Sequence, residues 1–376
     1  MIRPVHPARV MAFDELWAGL QKAVAEKRVK ENVGTDGLRL YCYTESTVYE
    51  KAWDEFTMLA RGIILDPAAK RVVATPFQKF FNVGERLDSI PDLPFETFEK
   101  LDGSLIILFH HNGEWRTATK GSLNSEQARW AKAWIAQHDL SRLDTDTTYL
   151  AEAIYPENRI VVQYARTGLF LLAAYRGDGT ELDYAELRDV ADSLGWLAAT
   201  SHPFDAVSEL LALARTLPSS EEGFVLRFSN GLRLKVKGDE YCRIHRMVSG
   251  LSPLSMWEAM LEEKDLEDIR RQLPEEFWQD FDTIVSLLQR QIDALVGDVT
   301  AQAEAVAHLT DKEVGLMLGT FPERVRRFVF PYRKHGGNLL TGRTREALFR
   351  EIRPDANRLD GYRPSSAVNR VMSEAA

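Results

Sequence analysis

Glu99-Lys100-Leu101-Asp102-Gly103-Ser104-Leu105 sets a lysine two residues before an Asp-Gly pair, with an apolar run over 105–109 directly behind it. The run reads as a strand, and Asp102-Gly103 as the tight turn feeding it. That brings the Lys100 ammonium to the lip of a sheet, where a substrate could meet it. Asn112-Gly113 is a hairpin turn, and the returning strand over 115–119 carries Lys120 back toward Lys100. A second hairpin runs from Glu221-Glu222-Gly223-Phe224-Val225 through Asn230-Gly231 to 232–237. Within it, Leu234-Lys235-Val236-Lys237 points both lysines to one face. The apolar strand over 149–154 is interrupted by Glu152, a carboxylate that is costly to bury unless something hydrogen-bonds to it.

Upstream, apolar positions at Phe13, Leu16, Trp17, Leu20, Val24 and Val29 predict an amphipathic helix over 13–29. A strand over 38–43 follows. Arg61 then stands at the mouth of another, within Leu59-Ala60-Arg61-Gly62-Ile63-Ile64-Leu65-Asp66, and 72–74 pairs with it across Asp66-Pro67. Phe77-Gln78-Lys79-Phe80-Phe81-Asn82 places a lysine among three aromatics, which fits either a core strand with a snorkelling lysine or a ligand contact. Further readings are a helix over 124–138 capped by Asn124 or Ser125, strands over 159–164 and 169–175, and helices over 182–196 and 204–213. Past residue 240 the strand signals stop, and helices are expected at 256–260, 266–273, 277–295, 299–309, 312–318, 322–328 and 344–352. The polar last twenty-odd residues read as loosely ordered. The expected fold is α+β, with antiparallel sheets flanked by helices over 1–245 and an all-α domain over 246–376.

Composition bounds the function. With 376 residues, 45% hydrophobic and 27% charged, the chain can bury two cores and is not disordered. No apolar run reaches membrane-span length, and Met1-Ile2-Arg3-Pro4 does not begin a signal-peptide core. Two cysteines, Cys42 and Cys242, are too few for a disulfide framework or a four-ligand zinc site, so a reducing cytoplasm, bacterial or that of a phage-infected host, is expected. The net charge of −9 hides an asymmetry: 321–353 holds nine Arg/Lys against three Glu, and 258–298 holds twelve acids against four bases. A net-acidic protein can still present one basic face to a polyanion.

The strand-end polar residues of the first 240 positions are Arg61, Lys79, Lys100, Lys120, Lys235 and Lys237, with carboxylates at Asp102, Glu152 and Glu222. Six cations aimed at one cleft need a polyanion, and a nucleoside triphosphate with a divalent metal supplies it. The chain has neither Gly-x4-Gly-Lys-Ser/Thr nor Gly-x-Gly-x-x-Gly, so P-loop and Rossmann modes are unsupported. A lysine attacks only when neutral, and cationic neighbours depress its pKa. The same neighbours stabilise charge developing on an α-phosphate during in-line displacement.

These residues resemble the covalent nucleotidyltransferases: ATP-dependent DNA and RNA ligases and GTP-dependent mRNA capping enzymes. Lys100-Leu101-Asp102-Gly103-Ser104 is similar to their nucleophile motif, Glu152 to the acidic motif that holds the ribose, and Glu222-Gly223-Phe224-Val225 to the motif near metal and adenine. Lys235-Val236-Lys237 is similar to the final Lys-x-Lys motif. Ala60-Arg61-Gly62, Lys79-Phe80-Phe81-Asn82, Thr119-Lys120-Gly121-Ser122 and Pro156-Glu157-Asn158-Arg159-Ile160-Val161-Val162 resemble the T-even bacteriophage RNA ligase 1 branch, over roughly 40–240. The resemblance implies Lys100 as nucleophile, with Asp102, Glu152, Glu222, Lys235 and Lys237 in the catalytic set. It implies nucleotide contacts from Tyr43, Arg61, Lys79, Phe81, Gly103, Lys120, Glu152, Val225, Lys235 and Lys237, and Mg²⁺ or Mn²⁺ at Glu222.

Three readings follow. The first is an ATP-dependent ligase joining RNA 3′-OH and 5′-phosphate ends, with single-stranded ends or a nicked tRNA anticodon loop as partner, no membrane, and a monomeric state favoured. The second is a DNA ligase or capping-type enzyme, which the missing β-rich OB domain disfavours. The third is a catalytically silent RNA-binding relative. The basic segment 321–353, interleaved with Phe328, Phe330 and Tyr332, is the expected RNA surface unless its arginines pair with the acidic helices.

Overall fold

Two short helices, α1 (Pro7–Val10) and α2 (Phe13–Ala25), precede an antiparallel sheet of β1 (Val29–Val33), β2 (Arg39–Tyr43), β3 (Arg61–Asp66) and β4 (Arg71–Ala74), in that order. Helices α3 (Glu45–Tyr49) and α4 (Glu55–Leu59) connect β2 to β3. The helix expected over 13–29 stops early: Lys27 adopts φ +60°, the Arg28 amide turns back to the Ala23 carbonyl at 2.9 Å, and Val29 opens β1. A left-handed residue after the last turn is a common helix stop, but it is usually glycine, so no residue marked it here. The structure, a computed structural model, describes residues 3–86, 90–159, 161–273, 277–355 and 358–364, and of 246–249 the backbone only. The polar tail from 365 onward lies outside the described residues.

The chain continues through β5 (Phe81–Asn82), β6 (Phe95–Glu99), β7 (Ser104–His111), β8 (Glu114–Ala118), α5 (Glu126–Ile135), β9 (Thr148–Ile154), β10 (Gly168–Tyr175), α6 (Tyr184–Leu194), β11 (Leu197–Ala198), β12 (Ser201–His202), α7 (Val207–Ala214), β13 (Gly223–Phe228) and β14 (Arg233–Lys237). They form two five-stranded sheets, ordered β11-β10-β9-β7-β8 and β12-β6-β13-β14-β5. Pairing is antiparallel except at two edges, where β11 runs parallel to β10 and β5 parallel to β14. The β7–β8 hairpin closes on Asn112 (φ +53°) and Gly113 (φ +82°), the two left-handed positions of a type I′ turn.

Alternation sets the layers. In β2 and β3, Tyr41, Ile63 and Leu65 pack on Leu16 and Leu20 of α2, while Leu40 and Ile64 face Ile107, Phe109 and Leu150 of the second sheet. That sheet's other face, Ile106, Leu108, Ala151 and Leu171, packs on α5 and α6. The third sheet buries Phe224, Leu226, Leu234 and Val236 against Leu210 and Ala214 of α7. Each of the Val, Leu, Ile and Phe side chains so removed from water contributes about 1.5–3 kcal/mol. The intervening positions of β14, Lys235 and Lys237, are left half-exposed on its other face.

This first unit ends at Arg243, and a second begins at Ile244. After α8 (Asp239–Ser249) come α9 (Pro253–Leu261), α10 (Leu266–Gln272), α11 (Trp278–Ala305), α12 (Asp311–Met317), α13 (Glu323–Lys334) and α14 (Gly342–Glu351), with no strand among the described residues of the second unit. The two helices expected at 277–295 and 299–309 are one. The buried stripe Phe281, Ile284, Leu288, Ile292, Leu295, Val299 and Ala303 runs unbroken, and Gly297 costs only about 1 kcal/mol inside it. No helix among the described residues is long and apolar enough to cross a membrane.

Candidate active site

Lys100 follows the last residue of β6, and its amide is tied to the Gly223 carbonyl at 2.8 Å. The pairing of β13 with β14 at this point needs glycine: Gly223 has φ +138°, and a Cβ there would lie 2.1 Å from the Val236 carbonyl oxygen. The hydrogen bond to Gly223 seats Lys100 against the β13–β14 hairpin. Glu222, 2% exposed, then accepts from both lysines, Lys100 Nζ at 2.6 Å and Lys237 Nζ at 2.9 Å. Burial alone would raise the Glu222 pKa, but the two ammonium groups outweigh it and hold the carboxyl below its usual range. Both Glu222 oxygens are therefore occupied by cations.

Around this pair stand the other cations. Lys235 is pushed down to about 7, first by burial and then by the charges of Lys100, Lys79, Arg61 and Lys237. The Arg61 guanidinium lies 5.1 Å from the Phe80 ring centre, with Lys235 Nζ 5.5 Å from the same ring, and Arg61 Nη1 is buried with no hydrogen-bond partner. Lys79 is lowered mainly by burial and faces three rings, Tyr43 at 5.4 Å, Trp53 at 5.1 Å and Phe81 at 5.2 Å. Lys120 Nζ lies 5.9 Å from the Tyr43 ring. Its backbone comes close only because Gly62 (φ +97°) has no side chain: a Cβ there would be 3.0 Å from Lys120 Cα. The crown is thus packed on aromatic faces, which attract cations without neutralising them. An unpartnered, buried guanidinium nitrogen beside a lysine near its neutral point is the signature of a site built for an anion.

Asp102 lies behind the Lys100 turn and is 2% exposed. Its Oδ2 accepts from the Val161 and Val162 amides at 2.8 and 2.7 Å, its Oδ1 from the Tyr241 hydroxyl at 2.8 Å, and its own amide donates to Tyr164 Oη at 2.8 Å. Burial, followed by the charge of Glu222, raises the Asp102 pKa despite these bonds. The strand expected over 159–164 does not form for the same reason. A 3₁₀ turn at Pro156–Asn158 leads into an irregular segment whose amides at 161 and 162 are used on Asp102 rather than on a ladder; Ile160 lies outside the described residues. Glu152 sits in β9 opposite Leu105 and Phe170, half-buried. Gly103 leaves it room, since a Cβ there would lie 2.6 Å from Ala153 O and 3.1 Å from Glu152 Cγ. Val225 of β13 is directly opposite Lys235.

The structure therefore brings Arg61, Lys79, Lys100, Lys120, Lys235, Lys237 and Glu222 into one cluster, with Tyr43 and Phe81 in its walls. Sequence reasoning missed Trp53, Phe80, Tyr164 and Tyr241. Tyr241 stands four residues past Lys237, in the first turn of α8, a hint in hindsight; Trp53 sits in a connecting loop with no periodicity to mark it. No group of three or more His, Cys, Asp or Glu able to hold a metal exists among the described residues.

In the second unit the basic segment is largely committed. Arg333 binds the Val306 and Leu309 carbonyls and Asp311, and Arg345 the Met260 and Leu261 carbonyls. Arg324 pairs with Asp298, Arg327 with Glu351 and Arg350 with Glu346, while Arg353 stacks on Trp257. Phe328 is buried. Lys334 and Arg343 remain exposed, and Tyr332 half-exposed.

The RNA ligase family matches residues 59–241. A protein named as a bifunctional polynucleotide kinase/RNA ligase, from Autographa californica nuclear polyhedrosis virus, is 29% identical over 219 residues, 50% of this chain and 30% of that protein. RNA ligase 1 of Bacteriophage TS2126 is 33% identical over 133 residues, 30% of this chain and 33% of the phage protein. The chain thus spans about a third of the length of these two relatives. A solved structure titled as an archaeal ATP-dependent RNA ligase superposes with a TM-score of 0.50 at 16% identity, covering 74% of this chain and 83% of that one, which shows a shared fold.

Proposed function

We propose that this chain, which belongs to the RNA ligase family through residues 59–241, is an ATP-dependent ligase that joins RNA 3′-OH and 5′-phosphate ends through a lysyl-AMP intermediate. One observation carries the reading: Lys100 and Lys237 share the buried Glu222, inside a crown of further cations packed on aromatic faces. Lys100 Nζ, once it has lost a proton, forms a bond to the α-phosphorus of ATP as the bond to the bridging oxygen breaks, and pyrophosphate leaves with that electron pair. Lys235, Lys237 and Arg61 supply positive charge where the phosphoryl oxygens gain negative charge. The RNA 5′-phosphate then displaces Lys100 to give an RNA-adenylate, and the 3′-OH displaces AMP from it.

In the folded chain Lys100 Nζ donates to Glu222, so release from that pair precedes attack. Once a lysine gives up one of the Glu222 oxygens, Glu222 would be the residue to hold Mg²⁺ or Mn²⁺, and such a metal would add charge stabilisation at the α-phosphate. Glu152 is read as the ribose contact and Val225 as a base contact, as the resemblance implies. Residues 1–245 are read as the nucleotidyl-transfer domain and 246–376 as the RNA-binding domain. The second unit, helical throughout its described residues, favours RNA, including broken tRNA, over the DNA-ligase and capping readings. Cys42 and Cys242, both outside any disulfide, suit a reducing cytoplasm.

Label transfer from α-labelled ATP and GTP tests the reading. It should give an acid-labile, base-stable AMP adduct in wild type and none in Lys100→Ala or Lys100→Arg, since a guanidinium stays protonated. A GMP adduct, or no adduct, sinks it.

A further inference from the structure

Lys79 is a half-buried cation. Among the described residues its ammonium makes no hydrogen bond and no ion pair; Glu85 acts on it only through its charge, and three rings, two of them edge-on to the third, stand around it. Trp53 lies 5.0 Å from Tyr43 at 78° and 5.5 Å from Phe81 at 80°, and all three centre within 5.4 Å of Lys79 Nζ. Trp53 is half-exposed, so filling a core does not account for its place. Its position is fixed from both sides. Before it, Lys51 takes the left-handed conformation (φ +53°) and its carbonyl accepts from the Trp53 amide at 2.8 Å. After it, Asp54 and Thr57 form a capping box that starts α4. A non-glycine residue at positive φ is uncommon and persists where tertiary contacts demand it.

We propose that Trp53 is a positioning residue for the nucleoside triphosphate. With Tyr43 and Phe81 it holds the Lys79 ammonium in place through ring faces, leaving its N–H donors free for the phosphoryl groups beyond the α-phosphate. A carboxylate could hold the lysine as firmly, but it would compete with the phosphates for the same donors; rings do not. The inference rests on the ATP-dependent reading above and adds a residue to its binding step.

The experiment is titration calorimetry of the full chain with ATP, AMP and inorganic tripolyphosphate, on wild type, Trp53→Leu, Trp53→Phe, Lys79→Met and the double variant carrying both Trp53→Leu and Lys79→Met. Trp53→Leu should weaken ATP and tripolyphosphate about tenfold and leave AMP unchanged. Trp53→Phe should recover most of the loss, and Trp53→Leu should add nothing in the Lys79→Met background. Unchanged tripolyphosphate binding, an equal loss for AMP, or full additivity with Lys79→Met overturns the proposal. If Trp53→Leu does not fold, Trp53→Phe decides: tripolyphosphate about two- to threefold weaker with AMP unchanged supports the role, and equal binding overturns it. Wild type that binds ATP without forming the Lys100 adduct sinks the ligase reading while the binding series still judges Trp53. Wild type that binds neither ATP nor tripolyphosphate overturns both.

Discussion

Replacing Asp102 separates a hydrogen-bonding role from a charge role at the turn that carries Lys100. In Asp102→Asn the amide oxygen can still accept from Val161 and Val162, and the Tyr241 hydroxyl can reverse to accept from the new NH₂. Going from charged to neutral acceptor weakens each bond by about 1 kcal/mol. Against this, the substitution removes a carboxylate charge that burial and Glu222 both disfavour. The net change in stability should therefore stay within about 1.5 kcal/mol. Asp102→Ala leaves two buried amides without acceptors, at about 1–3 kcal/mol each, a cost of about 2–6 kcal/mol that is a large part of a domain's total stability. Urea unfolding followed by single-turnover AMP transfer to Lys100 reads both. Asp102→Asn should keep the transfer rate within about tenfold of wild type, and Asp102→Ala, where it folds, should lose about a hundredfold or more. A folded Asp102→Asn as inactive as Asp102→Ala would refute the reasoning, because the charge and not the loop anchor would then matter.

Lys235, lowered to about 7, is half-protonated near neutrality in the free protein. A bound triphosphate favours its ammonium, so ATP binding should take up a proton, and affinity should fall as pH rises above about 7; calorimetry in buffers of different ionisation enthalpy checks this, and Lys235→Met should flatten the dependence. Gly223→Ala should destabilise the first unit by at least about 2 kcal/mol, read by thermal unfolding, because its Cβ meets the Val236 carbonyl at a left-handed φ. Charge reversal of Lys334 and Arg343 together should weaken RNA binding and flatten its salt dependence with AMP transfer unchanged, as measured by filter binding across a salt series. Arg345→Ala should instead lower the melting temperature of the second unit, since it frees two carbonyls of α9.

Much of this protein follows from local signals. Asn112-Gly113 requires two left-handed residues and so makes a hairpin wherever it stands between strands, and the alternation in 234–237 puts Lys235 and Lys237 on one face whatever the sheet does. The helical second unit is likewise a matter of period and of absent strand signals. Other features were decided only by the fold. Glu222 finds Lys100 across 122 residues of chain, and Asp102 takes the amides of 161 and 162 and so removes a strand that the apolar run 160–162 advertises. Trp53 becomes part of a cage only because β2 and β5 bring Tyr43 and Phe81 to it. Six of the nine cations in 321–353 are drawn into ion pairs, carbonyl clamps or ring stacking within the second unit, where composition alone made them a nucleic-acid surface. The division has one cause: turn chemistry and periodicity are properties of neighbouring residues, whereas the partner of a buried charge is whichever group the packing of distant elements delivers.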